Sequence, residues 1–368
     1  YRKIFSSDPI ASSPINAKTI SRFLELSLAI SAWKQAGDSR WALRSNPSSG
    51  NLHPTEGYLI LSALEGIHSA SGIYHYLPKD HGLERRLELS EVDWLDLMKE
   101  FPGNSFLAGL TSIHWREAWK YGERAFRYCQ HDIGHALAAY RIAAAVLGWN
   151  LVVLEAVDDH SLSRLFGLDQ DSKLPDAERE HPDLLTIVFS DSSISEIPMD
   201  LNREVIERIA SATWMGIPNR LSQEHVPWDI IVSVADATLK PKISQPGKRI
   251  LPAKGPGISF NNESSLRRVN VSARQIIRQR RSAVSFDGIT SISSREFYTI
   301  LLHTRQGRDE SEIPYDSVSW APQIHFCMFV HRVRGLVPGL YFLVRNPEAL
   351  DLFVKSTKEK FIWKKPED

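Results

Sequence analysis

The stretch Arg44-Ser45-Asn46-Pro47-Ser48-Ser49-Gly50-Asn51-Leu52-His53-Pro54 is the most informative segment of this 368-residue chain. Its proline, serine, glycine and asparagine content predicts a loop, and the flanking apolar patterns predict that it lies between a helix and a strand. It offers hydroxyls, a side-chain amide and a glycine that lets backbone N–H groups approach a ligand. A planar heterocycle with carbonyl and ring-nitrogen edges requires such groups. An ordinary polar turn has the same composition, so both interpretations stay open for this segment alone.

The region that follows this loop has a counterpart late in the chain. Residues 54–60, with a proline opening a strand-like run, are followed by a second run that begins Gly72-Ile73-Tyr74. Residues 322–330 are likewise followed by Gly339-Leu340-Tyr341, at offsets of 268 (Pro54 to Pro322) and 267 (Gly72 to Gly339). A helical pattern precedes each pair, at 20–31 and at 294–304. The alternative is two unrelated β-hairpins, but the shared order and spacing favour an internal duplication.

The second copy is incomplete by this comparison. In the first copy a long helix is predicted over 130–148, from a 3.6-residue apolar stripe that ends at Gly148. The stripe consists of Ile133, Ala136, Leu137, Tyr140, Ala144 and Leu147. No comparable pattern follows Leu343. We therefore expect a first domain at 1–200, a helix and surface linker at 201–265, and a second, truncated domain at 266–368.

Composition limits the classes of function. Lysine plus arginine equals aspartate plus glutamate at 44 each, so overall charge gives no reason to expect a nucleic acid or an anionic membrane as partner. Two widely separated cysteines, Cys129 and Cys327, favour a reducing, cytoplasmic setting over a disulfide scaffold. No apolar run approaches the roughly 18 residues of a membrane span. The absence of an initiator methionine leads us to expect that the sequence is part of a longer chain.

A cluster of arginines marks the start of the late copy. Arg278, Arg280 and Arg281 precede Ser282, and Phe286-Asp287 follow. Guanidinium groups beside a serine can present forked donors to a phosphate dianion. A solvated helix face is the more usual location of such a cluster, so this signal is weak by itself.

Together these motifs resemble a known family. Residues 44–54 are similar to the Pro-Ser-Ser-x-Asn flavin loop of nitroreductase-like FMN enzymes, and residues 280–282 to the Arg-x-Ser phosphate motif of that family. The run 115–128, leading into 132–135, resembles the SagB-type branch of azoline (thiazole/oxazole) peptide dehydrogenases. The resemblance covers about 18–190 well and 274–345 moderately.

The resemblance implies a fold and a composite cofactor site. The implied fold is α+β, a mixed sheet flanked by helices, duplicated here as a fused pseudo-dimer with its second copy incomplete. Nitroreductase-like proteins hold FMN between two protomers, one supplying the serine-rich loop and the other the arginine–serine motif. On this chain the implied FMN-binding residues are Arg44, Pro47, Ser48, Ser49, Gly50, Asn51, Arg280, Arg281 and Ser282.

One departure from the family concerns the phosphate. Val284 stands where the family often has a basic residue, so cationic help would have to come from Arg278 or Arg44. The pieces that would complete a second pocket are missing, which predicts one working site and one decayed site. No residue is identified as a general acid or base.

Other signals favour ordinary structural roles. His131 and His135 lie at i and i+4 on one helix face, but no third metal ligand is evident, so no metal site is predicted. Residues 254–257 lack the spacing of a nucleotide loop. The ten tryptophans are expected mainly in the core, with Trp119 and Tyr128 as candidate pocket-lining residues from the branch resemblance.

The sequence therefore favours an FMN-dependent oxidoreductase that passes hydride or electrons between NAD(P)H, or a small organic substrate, and an acceptor. One alternative is a degenerate interaction protein, with or without flavin. Another is an azoline-forming peptide dehydrogenase. Expected partners are a small-molecule substrate and the second half of the same chain, with a further homo-oligomer left open and with neither nucleic acid nor membrane. The electron acceptor and the choice between NADH and NADPH are not predicted.

Overall fold

The computed structural model describes residues 2–5, 10–170, 178–218, 220–244, 246–251, 271–306 and 312–364. Contacts divide the chain into a first unit, Tyr1–Arg280 with Ile313–Val318, and a second unit, Arg281–Glu312 with Ser319–Asp368. The predicted domain at 266–368 differs from the second unit at 271–280 and 313–318, which make their contacts within the first unit. The predicted boundary at 265 lies outside the described residues.

The regular elements of the first unit follow one another in this order: α1 (Ala17–Ser27), β1 (Ile30–Ala36), β2 (Ser39–Arg44), β3 (Thr55–Leu61), β4 (Gly72–Leu77), β5 (Gly82–Glu88), α2 (Glu91–Met98), β6 (Ser105–Ile113), α3 (Trp115–Tyr121), α4 (Ala125–Val146), β7 (Asn150–Val153), α5 (Asp159–Phe166), β8 (Glu180–Phe189), β9 (Glu196–Pro198), α6 (Arg203–Ala210), α7 (Asp229–Ala237), β10 (Lys248–Ile250) and α8 (Ala273–Gln279). Those of the second unit are β11 (Ile292–Ser293), α9 (Ser294–Leu302), β12 (Phe326–Val330), β13 (Val333–Arg334), β14 (Gly339–Leu343) and α10 (Leu350–Ser356).

A six-stranded sheet in the order β5-β4-β3-β6-β8-β7 forms the centre of the first unit. The predicted α+β class is confirmed. The sequence predicts a mixed sheet, whereas each pairing in this sheet is antiparallel. The turn at 78–81 accounts for one of these pairings, because a short connection between β4 and β5 can join only antiparallel neighbours. Every residue of β3 is buried, so both faces of the sheet are covered.

Helices α1 and α4 cover one face of the sheet. Helix α1 begins at a capping box, in which Thr19 N donates to Asn16 Oδ1 and Asn16 N donates to Thr19 Oγ1, both at 3.0 Å. Phe23 of α1 packs against Tyr140 of α4, with ring centroids 4.9 Å apart, and against Phe106 of β6 at 5.7 Å. Burying a side chain of this size contributes about 1.5–3 kcal/mol.

Helix α4 carries the stripe that the sequence predicts. All six predicted positions are buried: Ile133, Ala136, Leu137, Tyr140, Ala144 and Leu147. The helix begins at Ala125, five residues before the predicted start at Gln130, because residues 125–129 also have a buried face at Ala125 and Cys129.

Helices α2, α5 and α6 cover the other face. Phe166 of α5 packs so closely on β6 that a Cβ at Gly109 would lie 2.1 Å from the Phe166 ring. Helix α6 spans Arg203–Ala210, at the start of the 201–265 region that is predicted to contain a helix and a linker. The stretch predicted as a surface linker is partly regular instead, since β10 pairs with β9 and Lys240 N donates to Asp159 Oδ2 at 2.7 Å. Residues 254–257 lie outside the described residues.

The second unit has a local arrangement similar to the start of the first. Helix α9 precedes an antiparallel pair, β12 and β14, as α1 precedes β3 and β4. In each pair the last residue of the first strand lies opposite the glycine that opens the second, Leu61 opposite Gly72 and Val330 opposite Gly339. This register agrees with the duplication, which stays a prediction. Among the residues that the structure describes, every helix is too short or too polar to cross a bilayer.

Candidate functional site

The loop 44–54 connects β2 to β3. The sequence predicts a helix before it, but the β1–β2 hairpin lies between α1 and the loop, because residues 30–44 pair with one another in antiparallel register. The loop contains a short 3-10 turn, Ser49–Asn51, with Gly50 at φ 59°. Asn51 and His53 also have positive φ, at 62° and 53°. Residues other than glycine rarely adopt a positive φ, because it is sterically unfavourable for them. Contacts with the rest of the unit must therefore hold the loop in this conformation.

Asp132 of α4 supplies one of those contacts. Ser49 N donates to Asp132 Oδ1 at 2.9 Å and to Oδ2 at 3.3 Å, and Ser49 Oγ donates to Oδ1 at 3.3 Å. The carboxylate is fully buried. Hydrogen bonds to an ionised acceptor are about twice as strong as neutral ones, so this contact ties the turn to the central helix.

A second set of bonds closes the loop on itself. Asn51 Nδ2 donates to Ala42 O at 2.8 Å, His53 Nε2 donates to Asn51 Oδ1 at 2.9 Å, and His53 N donates to Ser48 Oγ at 2.8 Å. Burial, together with the charge of Arg44, lowers the pKa of His53 to about 3. His53 is therefore neutral, with its proton on Nε2 and its buried Nδ1 lacking a hydrogen-bond partner.

The first residues of the loop are anchored to α1 and β3. Ser45 N donates to Ala29 O at 2.9 Å and Ser45 Oγ to Glu25 O at 3.0 Å, while Arg44 Nη1 donates to Thr55 O at 3.2 Å. Asn46 is 1% exposed and its Oδ1 has no hydrogen-bond partner. This orphaned acceptor marks a place where a ligand could donate a hydrogen bond.

One member of the predicted arginine motif lies at this loop. Arg280 Nη2 donates to Ser45 O at 3.5 Å, which is at the long limit for a hydrogen bond. Arg281 and Ser282 belong to the second unit. Pro47 is half-buried within the loop. The structure thus brings one predicted phosphate residue to the predicted flavin loop, while the roles of all nine residues stay predictions.

Gly50 lies directly against α3. A Cβ at this position would lie 2.5 Å from the Tyr121 hydroxyl and 2.9 Å from Lys120 Nζ. Tyr121 also packs on Tyr128, with ring centroids 4.5 Å apart, whereas Trp119 is 62% exposed. Lys120 and Tyr121 fall within the 115–128 run that the resemblance singles out, but sequence reasoning assigns them no role.

Glu117 lies beneath this surface without a partner. Its side chain is fully buried and neither carboxyl oxygen has a hydrogen bond. Burial, and beyond it the charge of Asp132, raises the pKa of Glu117 to about 8, although Lys120 acts in the opposite direction. The carboxyl group therefore carries a proton at neutral pH, close to the residue that anchors Ser49.

An ion-paired network adjoins the other side of the loop. Arg116 Nη1 donates to His53 O at 3.0 Å and also to Glu56 Oε1, while His75 Nε2 donates to Glu56 Oε2 at 2.7 Å. Although burial opposes ionisation, the charge of Arg116 and the bond from His75 hold the pKa of Glu56 well below its usual range. These three side chains line a cavity of about 410 Å³.

The helical histidines do not form a metal centre with neighbours. His131 packs near the Tyr128 ring at 6.2 Å, and His135 Nδ1 lies 3.8 Å from Asp132 Oδ1. Within the described ranges, His, Cys, Asp and Glu side chains form no group of three that could hold a metal ion.

The loop retains hydrogen-bonding capacity for a cofactor. Ser48 Oγ accepts one bond and keeps its own proton to donate, and Ser49 Oγ keeps its lone pairs. Asn51 keeps one amide N–H and one oxygen lone pair after its two bonds. Donors and acceptors on a rigidly held loop, with the orphaned Asn46 oxygen beside them, fit the polar edge of a flavin.

Residues 11–175 are similar to a known protein family. Residues 11–175 match the model described as the nitroreductase family, whose members generally use flavin for redox chemistry. A Methanocaldococcus jannaschii protein described as a nitroreductase is 23% identical over 163 residues, covering 43% of this chain and 78% of its own length. The trifolitoxin-processing protein TfxB of Rhizobium leguminosarum bv. trifolii is 29% identical over 136 residues, covering 33% of this chain and 35% of its own.

A solved structure is similar over most of the chain. The crystal structure of an Anabaena variabilis protein described as a nitroreductase covers 88% of this chain, with a TM-score of 0.57 and 19% identity. This likeness shows the fold alone. The chain spans 65% of that structure, just under two thirds of its length.

Proposed function

We propose, from the match of residues 11–175 to the nitroreductase family model, that this chain is an FMN-dependent oxidoreductase whose flavin contacts the 44–54 loop. NAD(P)H or a small organic substrate would donate hydride, and an acceptor would take the electrons. When bound, FMN would supply the hydride-accepting and electron-releasing chemistry. The work of the protein is then to bind, orient and surround the ring.

The observation that carries the proposal is the pre-organised loop. Its turn is tied to Asp132, and its Asn51 side chain to Ala42 and His53, so the loop needs little ordering when a ligand binds. Pre-organisation preserves affinity, because ordering a mobile segment on binding costs conformational entropy. Ser48, Ser49 and Asn51 would bond the flavin edge and ribityl chain through the capacity that they retain.

The Arg280–Ser45 contact supports the phosphate part of the proposal. A guanidinium group at this loop could also donate to a phosphate, since arginine carries five N–H donors. Arg281 and Ser282 would complete the grip, as the family resemblance implies. Arg44, whose Nη1 donates a hydrogen bond to Thr55 O, would stabilise the conformation of the loop.

Two side chains beside the loop carry exchangeable protons. Lys120 Nζ and the Tyr121 hydroxyl lie against Gly50, where a bound ring would meet α3. They are the groups that we propose to exchange protons with a substrate. Their ring and cation contacts, with Lys120 Nζ 5.4 Å from the Tyr121 centroid, hold them in one orientation.

The test is an FMN titration of the whole chain and of an Arg280→Ala/Arg281→Ala variant. Losing charge-assisted bonds to a phosphate should weaken FMN binding about 10- to 100-fold. Arg208→Ala is the control, because Arg208 pairs with Asp93 and Asp96 on the outer side of α2 and α6. A colourless protein that cannot be reconstituted with FMN would favour the flavin-free interaction protein. Unchanged affinity in the double variant would reject the phosphate assignment.

Anaerobic bleaching of the flavin by NADH or NADPH then separates an enzyme from a flavin carrier. Bleaching in seconds to minutes, followed by recovery on adding an acceptor, is the expected result. A flavin that binds but is reduced by neither nucleotide would contradict the NAD(P)H assignment.

The second candidate is an azoline-forming peptide dehydrogenase, favoured by the similarity to TfxB. In this reaction a thiazoline or oxazoline ring in a peptide would lose two hydrogens to FMN and become aromatic. Incubating the FMN-loaded chain with a thiazoline peptide should then reduce the flavin and lower the peptide mass by two hydrogens. An unchanged peptide in the presence of NAD(P)H-reducible flavin would favour the first candidate.

A further inference from the structure

A second cavity of about 610 Å³ lies on the outer side of α1, away from the Asp132 contact. It is bounded by α1, β1, the turn between β4 and β5, and Arg278 of α8. Its volume falls in the range of small-molecule sites, roughly 300–1,000 Å³. All of its lining residues belong to the first unit.

The lining of this groove is strongly basic. Lys18, Arg22, Lys79 and Arg278 line it together with one carboxylate, Glu25, which leaves a surplus of three positive charges. The whole chain has a formal net charge of zero, so this surplus is local. Basic walls concentrate anions through their summed field.

The carboxylate is already engaged by arginines. Arg22 Nε lies 3.1 Å from Glu25 Oε2, and Arg274 Nη2 and Arg278 Nη1 lie 2.6 and 2.5 Å from Oε1. Three guanidinium groups and one carboxylate have a net positive charge. Glu25 therefore orders the arginines of the groove and does not cancel their field.

An aromatic surface stands beside the charge. Trp33 of β1 lines the groove and is 47% exposed, so part of its ring is open to a ligand. Arg40 holds its guanidinium 4.4 Å from the Trp33 ring centroid, which fixes the indole plane. An exposed and oriented indole can stack on a flat heterocycle.

A bonded chain of polar groups supports the opposite wall. Ser21 Oγ lies 2.8 Å from His81 Nε2, and the Tyr76 hydroxyl lies 2.8 Å from His81 Nδ1. His81 thereby holds the β4–β5 turn, which carries Lys79, against α1. The cation on the turn and the cations on α1 face the same cavity as a result.

We propose that this groove binds a nucleoside phosphate, with the base stacked on Trp33 and the phosphates held by Lys18, Arg22 and Lys79. Aromatic stacking and clustered cations together match a ligand that has both a flat base and an anionic tail. A free nucleotide and the adenosine phosphate end of a dinucleotide share this chemistry. A nucleic acid strand is disfavoured because the whole chain has a formal net charge of zero, whereas a strand needs an extended basic surface.

The groove is separate from the flavin loop but adjoins it. Glu25 and Ala29 both line the groove, and their carbonyl groups accept the bonds from Ser45 Oγ and Ser45 N, respectively. If the ligand is a dinucleotide electron donor, the inference rests on the proposed function. If it is a free nucleotide, the inference stands without flavin binding.

The experiment is calorimetric titration of the whole chain, with and without saturating FMN, using ADP, 2′,5′-ADP, adenosine, inorganic phosphate and NADPH. We expect ADP to bind equally with and without FMN, adenosine and phosphate to bind more weakly, and ADP affinity to fall steeply with added salt. Preferential binding of NADPH, competing with ADP, would identify a dinucleotide; ADP binding without competition would identify a free nucleotide. Displacement of ADP by FMN would overturn the proposal, because the nucleotide would then occupy the flavin site.

Two variants at exposed residues separate the contribution of the basic side chains to binding from that of stacking on Trp33. Lys18→Glu/Lys79→Glu should weaken ADP and phosphate at least tenfold and leave adenosine unchanged. Trp33→Ala should weaken ADP and adenosine at least fivefold and leave phosphate unchanged. Lys99→Glu, a like charge reversal at an exposed position outside the groove, is the control. Thermal melting confirms that each variant folds. No measurable ADP binding to the wild-type chain, or equal binding by all variants, would reject the site.

Discussion

Replacing Asp132 by alanine tests whether the flavin loop is held from α4. Asp132 lies 83 positions from Ser49 in the sequence, and its buried carboxylate accepts from both the amide and the hydroxyl of that residue. Removing it leaves the Ser49 N–H without that acceptor. Nothing in the local sequence of the loop replaces the lost contact.

The magnitude follows from the bonds that are lost. A hydrogen bond to a charged partner contributes about 1.5–3 kcal/mol, and an unpaired buried donor costs about 1–3 kcal/mol. We expect Asp132→Ala to lower the free energy of unfolding by about 3 kcal/mol, which lowers Tm by about 5 °C for a unit of this size. Loosening the turn should also weaken FMN binding about tenfold, since the loop must then be ordered by the ligand.

Graded variants keep this test decisive if Asp132→Ala folds poorly. Ser49→Ala removes only the 3.3 Å hydroxyl contact and should cost about 0.5–1 kcal/mol. Asp132→Asn keeps an acceptor for the amide, and its cost should lie between the other two. Urea unfolding and FMN titration measure both quantities. If Asp132→Ala has the same Tm and the same FMN affinity as the wild type, then Asp132 does not hold the flavin loop in place.

Three further perturbations probe the surroundings of the loop. Because burial raises the pKa of Glu117 to about 8 from an ordinary 4.5, its contribution to stability is full below about pH 4.5 and is lost as pH rises to about 8. Glu117→Gln should remove this loss of stability with rising pH, which urea unfolding would measure as at most about 1.4 kcal/mol per pH unit. A variant with the same pH dependence of stability as the wild type would show that Glu117 is not the group that titrates. Gly50→Ala should cost about 1–2 kcal/mol for its positive φ, plus a clash with Tyr121 that Tyr121→Phe relieves; a neutral substitution would contradict the geometry. In the wild type, Arg141 Nη2 lies 2.6 Å from Asp316 Oδ2. Asp316→Ala leaves this buried guanidinium without its carboxylate and should lower the stability measured by thermal melting by about 3–5 kcal/mol. A loss below about 1 kcal/mol would show that the ion pair stabilises the fold little.

Local patterns account for the parts of the structure that the sequence predicted correctly. The stripe of α4 is buried at each predicted position, because the helix period is visible in any short window. The polar composition of 44–54 likewise identified a loop. The central sheet is antiparallel where a mixed sheet is predicted, and part of the 201–265 region predicted as helix and linker forms β10, since strand direction and the β9–β10 pairing depend on partners far along the chain. The cytoplasmic location and the small-molecule substrate stay predictions.

By itself the sequence determined the buried stripe of α4, the strand pairs that follow Pro54 and Pro322, and the loop that carries ligand-type groups, because these properties depend on neighbouring residues. Only the tertiary structure decided that Asp132 holds Ser49, that Lys120 and Tyr121 lie over Gly50, and that a carboxyl group on α3 is buried without a partner. Those contacts join residues tens of positions apart. They form only when antiparallel strand pairing and the packing of α4 bring distant segments together, and no pattern within a short window records that choice.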